Sequence, residues 1–177
     1  SAPFSEFGIY KAEVRGEVVI RKEIFAEINA ERQEKGETTF QNPRNTAAGG
    51  LRMKDPNEAA KRGMEALMYQ VGYAVDQEGN NLLGRVLESH YGNMELLHQL
   101  GFQAPIAETG RFNSIDGVID FCREWEEKRN DYAIEIDGMV IKVDDLNQQE
   151  EAGFTSHHPR WAIAFKFKAE QAHSKLE

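Results

Sequence analysis

Five stretches of this chain carry the apolar, β-branched or alternating character of strands, and helical spacing fills much of what lies between them. Residues 13–20 read as a strand, and 66–75 as another, with Leu67, Tyr69, Val71 and Tyr73 on one face. Residues 106–112 read as a short strand. In residues 132–143 the positions Ile134, Ile136, Met139, Ile141 and Val143 are strand-like, and Asp137-Gly138 is a turn signal, which predicts a hairpin bent at that dipeptide. The last strand runs through 161–167 and sets Trp161, Ile163, Phe165 and Phe167 on one side, with Ala162, Ala164 and Lys166 on the other.

Helical spacing covers residues 21–35, with Ile24, Phe25 and Ile28 inward, a solvated side of Glu23, Glu27, Glu31 and Glu34, and Gly36 as the stop. Asp55-Pro56 opens a short helix that Gly63 ends, and residues 89–100 form another before Gly101. Ser114 caps a helix to about residue 128, whose Ile115, Val118, Ile119, Cys122 and Trp125 form a core-facing stripe. Asp145 caps a last short helix that Gly153 stops. Residues 40–52 lack periodicity and are rich in Asn, Gly and Ala, which predicts a loop with at most one helical turn, and Gly79-Asn80-Asn81 is a turn. The expected fold is α+β, a single domain of mainly antiparallel sheets flanked by helices.

Composition changes this picture little. The 177 residues suffice for one domain with a sizeable core, and 40% hydrophobic with 29% charged residues is ordinary for a globular protein. No apolar run approaches the length of a membrane span, so no membrane is implied and the cytoplasm is the default compartment. The single Cys122 excludes an internal disulfide, and the five histidines lack metal-ligand spacing. A net charge of −9 argues against strong nonspecific nucleic-acid binding, so any DNA contact is local. The termini, Ser1-Ala2 and Leu176-Glu177, read as those of an excised fragment.

Several charged residues stand where packing alone does not ask for them. Lys142 falls inside a strand, where it needs solvent or an anionic partner, and Asp137 sits at the bend. Lys166 has alanines as face neighbours, leaving space for a flat ligand that ends in a phosphate; an edge strand with a solvated lysine is the plain alternative. In Arg15-Gly16-Glu17 the two charges alternate onto one side, for a site or for an ion pair. Arg44 and Arg52 flank small residues that permit close backbone approach, and arginine suits bidentate phosphate recognition; a bland loop with solvated arginines would look the same. Arg62 ends a helix, where the dipole alone would favour it. Arg129 has Glu126 and Asp131 as near partners, and Tyr69 has the usual alternative of the core.

These stretches, Glu13-Val-Arg-Gly-Glu-Val-Val-Ile, Gln41-Asn-Pro-Arg-Asn-Thr-Ala-Ala-Gly-Gly-Leu-Arg, Tyr132-Ala-Ile-Glu-Ile-Asp-Gly-Met-Val-Ile-Lys-Val and His158-Pro-Arg-Trp-Ala-Ile-Ala-Phe-Lys-Phe, together resemble the adenylation domain of bacterial NAD-dependent DNA ligases, from about Glu13 to Glu170. The resemblance implies the nucleotidyltransferase fold shared with mRNA capping enzymes. It implies that Glu17 sits at the ribose of the AMP moiety of NAD, Tyr69 stacks on adenine, Lys142 lies at the adenine or phosphate side and Lys166 holds the α-phosphate. Asp137 would serve near magnesium or manganese, or near the incoming nucleophile. Arg44, Arg52, Arg62 and Arg129 match the family's arginines near the nick in duplex DNA, and Gly50 stands where the family usually has Ser or Thr.

The family's nucleophile is the lysine of a Lys-x-Asp-Gly motif, several dozen residues before the strand that holds Glu17. These 177 residues contain no such motif; Lys142-Val-Asp-Asp has Asp in place of Gly. The resemblance therefore implies a partial adenylation domain, inactive alone, that works with other ligase domains in cis and has a raw sheet edge open to association. The alternative is a non-catalytic nucleotide-binding or interaction module derived from the same fold.

Overall fold

The computed structural model describes residues 3–168; the terminal residues behind the fragment reading, and Glu170 at the end of the resemblance, lie outside them. After a 3-10 turn at Phe4–Phe7 come β1 (Lys11–Val19), α1 (Lys22–Glu34), α2 (Pro43–Leu51), α3 (Pro56–Ala60), β2 (Glu65–Val75), α4 (His90–Gln99), α5 (Ile115–Lys128), β3 (Gly138–Lys142), α6 (Leu146–Ala152) and β4 (Ala162–Lys166). The fold is α+β, with two antiparallel pairs, β1 with β2 and β3 with β4.

The β1/β2 ribbon does not keep simple alternation. Glu13 pairs with Tyr73 but Val14 with Val71, and Arg15 pairs with Gln70 but Gly16 with Met68, so Gly72 and Tyr69 are extra residues in β2. Each bulge resets the alternation, and β2 turns Met68, Val71 and Ala74 toward the core in place of the predicted Leu67, Tyr69, Val71 and Tyr73 face. Tyr73 is 43% exposed. Around Val71 and Ala74 gather Ile9, Leu82, Leu96 and Leu97, which seats α4 against the ribbon. Gly16 is required here, since a Cβ on it would lie 2.3 Å from the Leu67 carbonyl oxygen.

The helix ends follow the capping rules. Ser89, Ser114, Asp55 and Asp145 each accept a hydrogen bond from a first-turn backbone amide. The same chemistry makes α2 a helix of more than two turns where a loop was expected: Asn42 caps it, Pro43 occupies its first position, and Thr46, Ala47 and Gly50 are buried. The α5 stripe is core only in part. Cys122 is buried, but Ile115 is 67% exposed and Ile119 half-exposed.

Two strand expectations fail for backbone reasons. In residues 106–112 the Ile106 carbonyl accepts from Thr109 N and the Thr109 hydroxyl donates to the Pro105 carbonyl, which closes a turn where a strand was expected. In residues 132–143 the strand begins only at Gly138, and its partner is the distant β4, so there is no hairpin about Asp137-Gly138. The Ala133 carbonyl accepts from Lys22 N, which ties the first half of the stretch to α1. The bend is real, however: the Asp137 carbonyl accepts from Phe167 N, and a Cβ on Gly138 would lie 2.4 Å from the Phe165 carbonyl oxygen. Only glycine lets β4 approach this closely.

Candidate functional site

In the β3/β4 pair, Gly138 stands opposite Lys166, Val140 opposite Ala164 and Lys142 opposite Ala162. Directly opposed residues share a face, so this face is a floor of Gly138, Val140, Ala162 and Ala164 with a lysine at diagonally opposite corners. Val140 and Ala164 are exposed. Four residues of strand separate the two lysine positions by roughly 13 Å along the floor, comparable with the length of an extended mononucleotide.

At the Lys166 corner, Nζ donates to Asp137 Oδ2 at 2.7 Å. That bond, with the charges of Lys166 and Arg44, holds the Asp137 carboxyl below the usual carboxylate range. Arg44 in turn meets Glu17 Oε1 at 3.1 Å, so charges of alternating sign run from Glu17 through Arg44 and Asp137 to Lys166. Arg44 occupies the first turn of α2, where the helix dipole disfavours a cation. The carboxylates around it offset that cost. Arg15 meets Glu13 of its own strand at 2.5 Å, in place of the cross-strand partner that the ion-pair alternative would give it.

At the other corner Lys142 is half-buried and lies against two rings. Its Nζ lies 5.2 Å from the Tyr69 ring centroid and 3.4 Å from His90 Nε2. Burial lowers the Lys142 pKa. His90 is pushed down to about 4, chiefly by burial and then by the Lys142 charge, so its imidazole is neutral at neutral pH. The bulge at Tyr69 frees that ring from the ladder's alternation on the strand facing Lys142. Sequence reasoning missed His90, because a lone histidine at the start of a helix has no periodic or motif signature.

Glu17, Tyr69, Asp137, Lys142 and Lys166 are thus linked across the two sheets by the Arg44 contacts and by the Tyr69 contact with Lys142. Among the described residues they line neither of two open hollows on the surface. The larger, about 340 Å³, is lined by His90, Asn93, Gln149, Phe154 and Trp161 among others. Of the arginines singled out in the sequence, Arg44 joins this cluster. Arg52 is exposed at the end of α2, Arg62 stacks on Phe40 at 4.4 Å, and Arg129 donates to the Lys168 carbonyl. Gly50 is buried where a Cβ would meet Met64 Sδ at 2.6 Å, so the Met64 side chain fills that space.

No group of three or more His, Cys, Asp or Glu side chains is placed to hold a metal among the described residues. Asp137 offers one exposed hard carboxylate. Such a donor suits a magnesium ion that draws its other ligands from water and a nucleotide phosphate.

A family profile for the NAD-dependent DNA ligase adenylation domain matches residues 4–170. A DNA ligase of Persephonella marina is 58% identical over 176 residues, covering 99% of this chain and 25% of that protein. One of Aquifex aeolicus is 50% identical over 175 residues, 99% of this chain and 24% of the ligase. One of Brevibacillus brevis is 47% identical over 165 residues, 93% and 23% of the respective chains. The chain therefore spans about a quarter of the length of the curated relatives it matches.

Proposed function

The chain belongs to the NAD-dependent DNA ligase adenylation domain family, and from that premise we propose that it forms most of the AMP-binding surface of a ligase that seals nicks in duplex DNA. The lysine-cornered floor on β3/β4 carries this reading: one ammonium for a phosphate, one beside an aromatic ring for the base, and small residues between for the sugar. The domain is a partial one of the nucleotidyltransferase fold, and its partners are other ligase domains in cis and nicked DNA met in the cytoplasm.

In the reaction, a lysine amine attacks the adenylyl phosphorus of NAD; a P–N bond forms and the bond to nicotinamide mononucleotide breaks. The AMP then passes to a DNA 5′-phosphate, and the neighbouring 3′-hydroxyl displaces it. The 177 residues contain no Lys-x-Asp-Gly, so the nucleophile belongs to a segment outside them. Within this chain Lys166 binds the α-phosphate and withdraws charge from it, releasing Asp137. Glu17 accepts from the ribose hydroxyls, Tyr69 stacks on the adenine, and Lys142 fixes the base side. Arg44 reaches toward the nick phosphates, with Arg52, Arg62 and Arg129 further along the same duplex. Asp137 is the residue that would hold magnesium or manganese with the nucleotide's phosphates; such an ion neutralises charge on the transferred group.

The test joins this chain to the preceding segment of the Persephonella marina ligase and supplies NAD labelled in its AMP moiety. Label bound covalently to the fusion, and lost in Lys166→Ala and Glu17→Ala, supports the reading. A folded fusion that never takes up label refutes it.

A further inference from the structure

The Lys142 amine is held from a side that the reading above does not use. His90 is the first residue of α4, and its place is fixed twice: Ser89 caps the helix, and the His90 backbone N donates to the Asp144 carbonyl at 2.8 Å. Asp144 Oδ1 also accepts from Tyr91 N at 2.8 Å, and Asp144 Oδ2 meets Arg111 at 2.9 Å. Since Asp144 lies two residues beyond Lys142, the end of β3 and the start of α4 are tied together. Their side chains meet at 3.4 Å.

We propose that His90 is a positioning residue for Lys142: its Nε2 accepts a hydrogen bond from Nζ and holds the amine against the Tyr69 ring, ready for the base side of a bound adenine nucleotide. An ammonium has donors only, so a bond between these atoms requires the lone pair on Nε2 and the proton on Nδ1. A neutral imidazole is thus the competent form, and its lowered pKa keeps it so. Among the described residues, the charged groups about the ring include Lys142, which opposes its protonation, Asp144, which favours it and is itself paired with Arg111, and Arg15 and Glu150 across the adjoining hollow. Protonation of His90 would set two cations side by side and release Lys142 from Tyr69.

The proposal rests on the nucleotide reading for its purpose but not for its test. In the free chain, the Lys142 ε-methylene NMR signals carry an upfield ring-current shift from Tyr69. His90→Gln keeps an acceptor and retains this shift, whereas His90→Phe keeps a ring of similar size, removes the acceptor and loses it. In the wild type the shift collapses as pH falls through about 4, and His90→Gln shows no such step. AMP binding weakens about threefold or more in His90→Phe but little in His90→Gln. Equal Lys142 signals in the two variants would overturn the proposal. A wild-type chain that shows the shift yet binds no AMP would refute the nucleotide reading and leave the His90 contact standing.

Discussion

At the residue scale, the site is made of contacts whose value to stability is small. Asp137 and Lys166 are both well exposed, and ion pairs of that kind contribute about 0–1 kcal/mol. Lys166→Ala should change the urea-unfolding free energy by less than ~1 kcal/mol, while the Asp137 carboxyl, read by carbon NMR, titrates at higher pH once its main hydrogen-bond donor is gone. His90 behaves differently because it is partly buried and neutral. Its folded-state pKa of about 4 lies below the ordinary imidazole value of 6.5, so its contribution is complete above pH 6.5 and is lost as pH falls toward 4. Between pH 7 and pH 4.5 the wild type should lose about 2 kcal/mol more than His90→Gln in denaturant titrations. Equal losses would show that His90 is solvated. Lys166 was legible because it alternates with alanines and Lys142 because it is a charge inside an apolar strand; His90 was not, because its meaning depends on which strand α4 starts beside.

At the scale of elements, caps and stops were readable and pairing was not. Asp55, Ser89, Ser114 and Asp145 cap as their side-chain chemistry dictates, since that signal is local. The partner of β3 is set by Gly138 meeting the backbone of β4, a long-range contact that Asp137-Gly138 disguised as a hairpin turn. The bulges at Tyr69 and Gly72 likewise leave no mark on the pattern but decide which side chains reach the site. Three glycines separate these effects. Gly16→Ala and Gly138→Ala each drive a methyl into a carbonyl and should cost about 2–3 kcal/mol in thermal or urea unfolding. Gly49→Ala, exposed in α2 with nothing within 4 Å of a new Cβ, should stabilise by about 0.5–1 kcal/mol. A neutral Gly138→Ala would contradict the close approach of β4 on which the floor depends.

At the scale of the molecule, the described residues leave much apolar surface open. Ile115, Val140, Phe154 and Ile163 are each more than 60% exposed, and both sheets have only two strands. The sequence pattern marked Ile115 and Ile119 as inward-facing, and both are exposed; what covers a stripe is a property of the packing around it, which one segment cannot encode. The lysine-cornered floor, proposed above to take AMP, lies on β3 and β4, with Tyr69 of β2 against Lys142 and Glu17 of β1 joined to it through Arg44.

AMP titration followed by NMR on the isolated chain tests that claim most directly. Signals of Glu17, Tyr69, Lys142 and Lys166 should move together with one saturable binding constant, and Lys166→Ala should weaken binding about tenfold. A folded chain whose Lys142 and Lys166 signals stay fixed at saturating AMP would contradict the account.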